Sequence, residues 1–185
     1  MAFTPEPGDA LVVVDVQRDF CPGGSLAVPD GDRVVPVINR LAPRFQTVVT
    51  THDSHPPDHS SFVEQGGPWP PHCVEGTPGW ELHPDLRVQA DYRVFKGRER
   101  ELDGYTGWTP ELADFLKKRG VQRVVVVGLA LDYCVQATAL DARAAGYEVV
   151  VLTDATRAVN VKPDDGERAL DALRAAGVRE DRAQS

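Results

Sequence analysis

The chain predicts an α/β fold, a three-layer α/β/α sandwich around a mostly parallel central sheet of five to six strands. Two observations predict it. Short apolar, β-branched runs alternate with segments of helical period, as strands joined through crossover helices do. The clearest run, Val124-Val-Val-Val127, is continuously apolar, the pattern of a strand covered on both faces. Right-handed crossovers then place helices on both sides of the sheet.

Residues 10–14 read as the first strand and 33–41 as the helix after it; 47–51 is the second strand. Residues 92–95 form a third strand with helix 111–119, 124–127 a fourth with helix 135–145, and 147–152 a fifth with helix 167–176. Two helices end on a cationic turn and a glycine, Lys117-Lys-Arg119 before Gly120 and Arg174-Ala-Ala176 before Gly177, a left-handed cap in each case. Segment 52–91 breaks the alternation. It holds seven prolines, four glycines and two tryptophans without helical period, and a long irregular insertion in a compact domain is usually functional or disordered; its histidines and aromatics favour an ordered site.

The bulk numbers bound the function. At 185 residues residues 1–185 fit one domain, with 52–91 as an irregular metal-site and lid insertion. A formal charge of -8 argues against nucleic acid or an anionic membrane as partner and favours a small-molecule site. Cys21, Cys73 and Cys134 are an odd number, widely spaced, and so read as reduced thiols. The acidic, Pro-rich first residues do not resemble a signal peptide, and no apolar stretch approaches the roughly 18 residues of a membrane span. The expectation is a cytoplasmic protein.

Ligands of open α/β sheets bind at the carboxyl ends of the strands, where strand order reverses. Asp15, Asp53, Lys96 and the turn from Ala130 to Cys134 all fall at that edge. Cys134 lies between a buried strand and the next helix, where the helix dipole is expected to lower the thiol pKa below its free value of about 8.5. An inert buried thiol would leave the same local string. A carboxylate such as Asp15 can take a thiol proton and an ammonium such as Lys96 favours both anions, although an ionised Asp15 by itself raises the thiol. The turn Gly128-Leu-Ala-Leu-Asp132 can aim the N–H groups of Ala130 and Cys134 at an oxyanion; as an ordinary strand-to-helix turn it would use Asp132 as helix N-cap. Two imidazoles and a carboxylate make a three-ligand set for zinc, iron or manganese with positions left open. Asp53 and His55 are two apart, hence on one face of an extended segment. His72 or His59, or both, complete the set, and His52 reads as a supporting or exposed residue. Loop histidines can equally be solvated polar residues.

Five strings in order resemble the nicotinamidase (pyrazinamidase) branch of the isochorismatase-like hydrolase superfamily, over nearly the whole chain. They are the run from Val14 to Val28 with Asp15-Val-Gln-Arg-Asp-Phe20, the run from Asp53 to Phe62, the run from Trp69 to Gly79, Lys96-Gly97, and Asp132-Tyr-Cys134. The resemblance implies a Cys134, Asp15, Lys96 triad that hydrolyses nicotinamide, and pyrazinamide with it, through a thioester. It implies a divalent metal, zinc first, on Asp53, His55 and His72, with His59 open as a further ligand. In such proteins the metal holds the pyridine nitrogen while aromatics such as Phe20 and Trp69 flank the ring; Tyr105 is expected at the mouth, and a homo-oligomer is compatible with the resemblance. The alternatives are a cysteine amidohydrolase acting on a carbamoyl or ureido group, which need not have the metal segment, and a non-catalytic metal-binding protein. Two features depart from the pattern. Ser54 stands where an aromatic is usual, predicting looser packing under the metal, and the charged stretch after Gly177 predicts a final strand that is short, frayed or absent.

Overall fold

The structure, a computed structural model, describes residues 2–184. Six strands, β1 (Asp9–Val14), β2 (Thr47–Asp53), β3 (Tyr92–Lys96), β4 (Arg123–Leu129), β5 (Glu148–Arg157) and β6 (Arg179–Asp181), form one sheet. Their order is β3-β2-β1-β4-β5-β6, and every neighbouring pair is parallel. Four helices flank it: α1 (Val34–Leu41), α2 (Pro110–Lys118), α3 (Gln136–Ala144) and α4 (Asp165–Ala175).

Alternation along the strands divides the core into two layers. Leu11, Val13, Val125, Val127 and Val150 meet Val34, Ile38 and Leu41 of α1 on one face. Ala10, Val12, Val124, Val126 and Val149 meet α2, α3 and α4 on the other, through Leu112, Leu116, Ala139, Ala142, Ala169 and Leu173. Each fully buried Val or Leu contributes roughly 1.5–3 kcal/mol, which is why these runs are apolar without interruption. One crossover carries no α-helix: residues 54–91 connect β2 to β3 through irregular backbone and two short 3-10 turns. That segment fills the helix's place, with Leu86 and Val88 packed on the same core as α1. The chain leaves β1 toward β2 and β3 on one side, and β4 lies on its other side, so the reversal of strand order opens a crevice at the carboxyl ends of β1 and β4.

Three details differ from the sequence expectation or sharpen it. β5 runs well past residue 152, because Val126 pairs with Val151 but Gly128 with Thr156, a bulge that bends the strand. At this bulge Gly128 has φ +110°, and a Cβ there would sit 2.2 Å from the Val14 carbonyl oxygen. The final strand is present but short: three residues pair with β5, and the charge of Arg179-Glu-Asp181 suits an edge. A π-helical turn, Leu131–Val135, precedes α3, so the regular helix starts one residue later than expected. Among the described residues no helix is long and apolar enough to cross a membrane.

Replacing Gly128 with Ala should therefore destabilise the fold by about 3 kcal/mol or more, since overpacking of roughly 1–3 kcal/mol adds to a left-handed backbone. Gly146→Ala, also at positive φ but with nothing within 4 Å, should lose only about 1–2 kcal/mol. Urea unfolding of the two variants measures the difference, and equal losses would show that the approach to β1 is not what demands glycine.

Candidate active site

The carboxyl ends of β1, β2 and β3 and the start of α3 converge on one buried ammonium. Asp53 and Lys96 are register partners on adjacent parallel strands, so both point to the face covered by α2 and α3. Lys96 Nζ lies 2.7 Å from Asp15 Oδ2 and 3.4 Å from Asp53 Oδ1. It donates to Cys134 Sγ at 3.3 Å and to the Gly104 carbonyl at 2.9 Å. The approach to Asp15 Oδ2 is a charge contact off the hydrogen-bond directions. The other oxygen of Asp15, Oδ1, accepts from Thr51 Oγ1 at 2.6 Å. Asp15 is fully buried and has φ +47°, a left-handed conformation that Asp tolerates better than most residues. It turns the side chain off the end of β1 and into the crevice.

Charge settles unevenly here. Burial disfavours the Lys96 ammonium, but Asp15 and Asp53 outweigh it and hold the side chain charged well above the ordinary lysine range. Burial pushes the Asp15 carboxyl up, against the pull of Lys96. The Cys134 thiol is pushed well up, first by burial and then by the charges of Asp15 and Asp53, with Lys96 opposing. The expected lowering by the helix dipole is thus overturned: the thiol is enclosed and faces two carboxylates, and desolvation of the anion dominates. Nor does Asp132 cap the helix. Its carboxylate accepts from Val159 N and Asn160 N, both at 2.9 Å, and ties the loop after β5 to the π-helical turn.

A second cluster shares Asp53. Its Oδ2 lies 2.8 Å from His55 Nε2 and 3.3 Å from His72 Nε2, and the ligand atoms of all three residues lie within 4.8 Å of one another. His72, seventeen positions beyond His55 in sequence, is brought in because residues 73–75 run beside residue 55: His55 N donates to Cys73 O at 2.9 Å and Glu75 N to His55 O at 3.0 Å. Asp19 Oδ2 anchors the same stretch by accepting from Cys73 N at 2.8 Å. His55 Nδ1 donates to Gly97 O and His72 Nδ1 to Pro70 O, each at 2.8 Å. A carbonyl can only accept, so both rings carry their proton on Nδ1 and turn the Nε2 lone pair toward Asp53. Three lone-pair donors converging in a buried site fit a divalent cation, with the outer hydrogen bonds fixing the rings as metal-binding histidines require. Burial opposes the Asp53 charge, yet its partners, the Lys96 ammonium foremost, outweigh it and hold its carboxyl well below the usual range.

His59 stands beside this set rather than in it. It is fully buried, not solvated, and its ring lies 3.9 Å from that of His55. His52 is buried as well, stacked on Phe95 on the opposite face of the sheet, with its pKa lowered to about 4 by burial and then by Arg93.

Both clusters open into one cavity, lined by Phe20, Trp69, Tyr105, Ala130 and Cys134 among others. Phe20 lies against His72, and Trp69 Nε1 donates to Tyr105 Oη at 3.1 Å. The cavity wall is not confined to segment 52–91. Asp103 and Tyr105, after β3, and Tyr133 also line it. The looseness expected at Ser54 is absent: Ser54 is fully buried, and the Trp80 indole packs in and donates to Ser54 Oγ at 2.7 Å.

Several supporting residues escaped the sequence reading. Gln17 clamps Asp53 from both sides of its peptide, Nε2 donating to Asp53 O and Oε1 accepting from Asp53 N, each at 2.8 Å. Phe62, fully buried, presents a wall to His55, His59 and His72. Thr51 orients Asp15. Gln17 and Phe62 left a trace, the first two residues after Asp15 in the opening motif and the second at the end of the run from Asp53; nothing local marks Thr51.

The chain is similar to known proteins over nearly its whole length. The chain is 40% identical over 199 aligned residues to the nicotinamidase of Escherichia coli, covering 93% of each protein. Its fold is similar to that of a protein from L. infantum solved in complex with nicotinate (TM-score 0.93, 38% identity, 99% of this chain and 97% of the other). It is similar also to the pyrazinamidase of Pyrococcus horikoshii solved in complex with zinc (TM-score 0.88, 45% identity, 95% and 99%). The Isochorismatase domain family matches residues 9–180, the span from the first strand to the last, and the chain belongs to that family.

Proposed function

We propose that this protein is an amidohydrolase converting nicotinamide to nicotinate and ammonia, with pyrazinamide as a second substrate. The observation that carries the reading is a single cavity lined by both Cys134 and the three-residue metal cluster, with the Lys96 ammonium in contact with the Cys134 sulfur and the Asp15 carboxylate. The names of the relatives above support it. A carbamoyl or ureido amidohydrolase need not have the Asp53, His55, His72 set, and its presence here favours the nicotinamide reading. The continuous sheet from β1 to β6 supports reading residues 1–185 as one domain, and three unpaired cysteines fit a reducing compartment such as the cytoplasm.

In this reading Cys134 is the nucleophile, Asp15 the proton carrier and Lys96 the fixed cation. Asp15 takes the thiol proton as sulfur bonds to the carboxamide carbon, and the carbonyl electrons move to oxygen. The N–H groups of Ala130 and Cys134 receive that oxyanion. Asp15 returns the proton to the amine, the C–N bond breaks, and ammonia leaves a thioester. Asp15 then takes a proton from water as its oxygen attacks the thioester; the C–S bond breaks, and the sulfur recovers the proton. A thiol and a carboxyl that are both raised pass one proton between them and titrate as a pair. Asp53, His55 and His72 would hold a divalent ion, zinc first, which when bound supplies a Lewis-acidic anchor for the ring nitrogen. Phe20 and Trp69 flank the ring and Tyr105 borders the mouth.

Ammonia release from nicotinamide by the purified protein tests the activity directly. Cys134→Ala should abolish it while nicotinate still binds, and Asp15→Asn should lower kcat by at least the roughly 10²–10⁴-fold that a positioned base supplies; turnover retained by Cys134→Ala would exclude the thioester route. His72→Ala should weaken metal binding by more than the roughly 10–100-fold typical of a supporting residue, read as metal per chain by elemental analysis, with KM rising. Full activity in metal-stripped protein would refute the anchoring role. Because Asp15 must be ionised to accept the proton and burial raises it, the acid limb of kcat/KM should fall above the ordinary carboxylate value of about 3.9. A profile flat to about pH 4 would assign the base elsewhere.

A further inference from the structure

The three clustered histidines do not present the same nitrogen. His55 and His72 donate through Nδ1 and turn Nε2 to Asp53. His59 is the reverse. Its Nδ1 lies 3.2 Å from Ser61 N, which can only donate, and 2.7 Å from Ser61 Oγ. Its Nε2 lies 2.8 Å from the Leu102 carbonyl, which can only accept. The partners therefore put the proton on Nε2 and use Nδ1 as acceptor. Neither ring nitrogen is left to face a metal, and a fully buried ring keeps such partners.

Leu102 belongs to residues 97–108, the connection after β3 that carries Asp103 and Tyr105 to the cavity. Its backbone is held at four further points: His55 Nδ1 donates to Gly97 O, Lys96 Nζ to Gly104 O, Ser60 N to Arg100 O, and Gly107 N to Thr138 Oγ1. Three of these five anchors, the ones from His55, His59 and Lys96, come from side chains in or beside the two clusters. We propose that His59 is the latch of a lid formed by residues 97–108, holding it over the cavity through Leu102, and is not a fourth metal ligand. The lid then closes against the edge of the metal cluster: the His59 ring lies against that of His55, tilted by 34°, while its far side grips the segment that borders the substrate. His59 is a positioning residue, acting through the lid on substrate retention.

The inference rests on the metal assignment above, and the experiment separates the two. Metal content by elemental analysis and amide hydrogen exchange of residues 99–105 are measured for the full-length wild type, His59→Ala and His59→Gln. Gln offers an amide N–H to Leu102 O but is a poor metal ligand. The expected result is unchanged metal per chain in both variants, exchange roughly tenfold faster in His59→Ala, as loss of one such hydrogen bond implies, and near wild-type exchange in His59→Gln. KM for nicotinamide should rise in the Ala variant more than kcat falls. Metal content reduced by half or more in both variants would make His59 a ligand and overturn the proposal, as would unchanged exchange in His59→Ala. If His59→Ala does not fold, His59→Gln decides alone: metal retained with the lid protected supports the latch, and metal lost refutes it. A wild type that binds no metal defeats the metal assignment, while lid exchange still judges the latch.

Discussion

A buried ammonium is the constraint on which the site is built. Lys96 is 6% exposed, and an unpaired charge at that depth costs several kcal/mol. It is tolerated because Asp15, Asp53, the Cys134 sulfur and the Gly104 carbonyl surround it. Each partner is a group that the proposed chemistry or the lid also needs. Removing Lys96 would leave two carboxylates facing each other without a counter-charge, and Asp53 could no longer serve the histidines while remaining ionised. The link between nucleophile and metal cluster is thus one residue, Asp53, with one oxygen on the ammonium and the other on the imidazoles.

The fold makes that arrangement inexpensive. Parallel strands deliver their carboxyl ends to one edge, and the register Asp53 opposite Lys96 follows from ladder pairing without any special loop. What is irregular is confined to connections: the helix-free crossover from β2 to β3 that contributes His55, His59, His72 and Trp69, and the segment after β3 that closes over them. Backbone hydrogen bonds from His55 to Cys73 and Glu75 give this crossover a strand-like rigidity where a helix would have buried its histidines against the sheet.

The catalytic candidates were legible because strand ends are legible. Val124-Val-Val-Val127 and its counterparts are apolar runs whose ends can be found by inspection; Asp15 and Lys96 stand directly at such ends, and Cys134 in the turn that follows one. Asp53 and His55 were legible from the two-residue period. The direction of the thiol shift was not, because it depends on how completely Cys134 is enclosed and on carboxylates 119 and 81 positions away in sequence. Asp132 gave the wrong expectation for a similar reason: an acid at a helix start is a good cap locally, but the loop after β5 supplied two amides that were closer to hand.

What the sequence by itself determined is the alternation of strand and helix, the crevice edge and the residue types placed along it, since these depend on local period and on the apolar cost of a two-sided sheet. Only the tertiary structure decided which nitrogen each histidine turns inward, which side of His55 the ring of His59 occupies, how Trp80 fills the space at Ser54, and which groups share the charge of Lys96. Several of those outcomes are set by distant partners, such as Gly97 for His55, Leu102 for His59, Trp80 for Ser54 and Asp15 for Lys96. Hydrogen-bond direction and desolvation are properties of the assembled neighbourhood, and no local stretch of chain carries them.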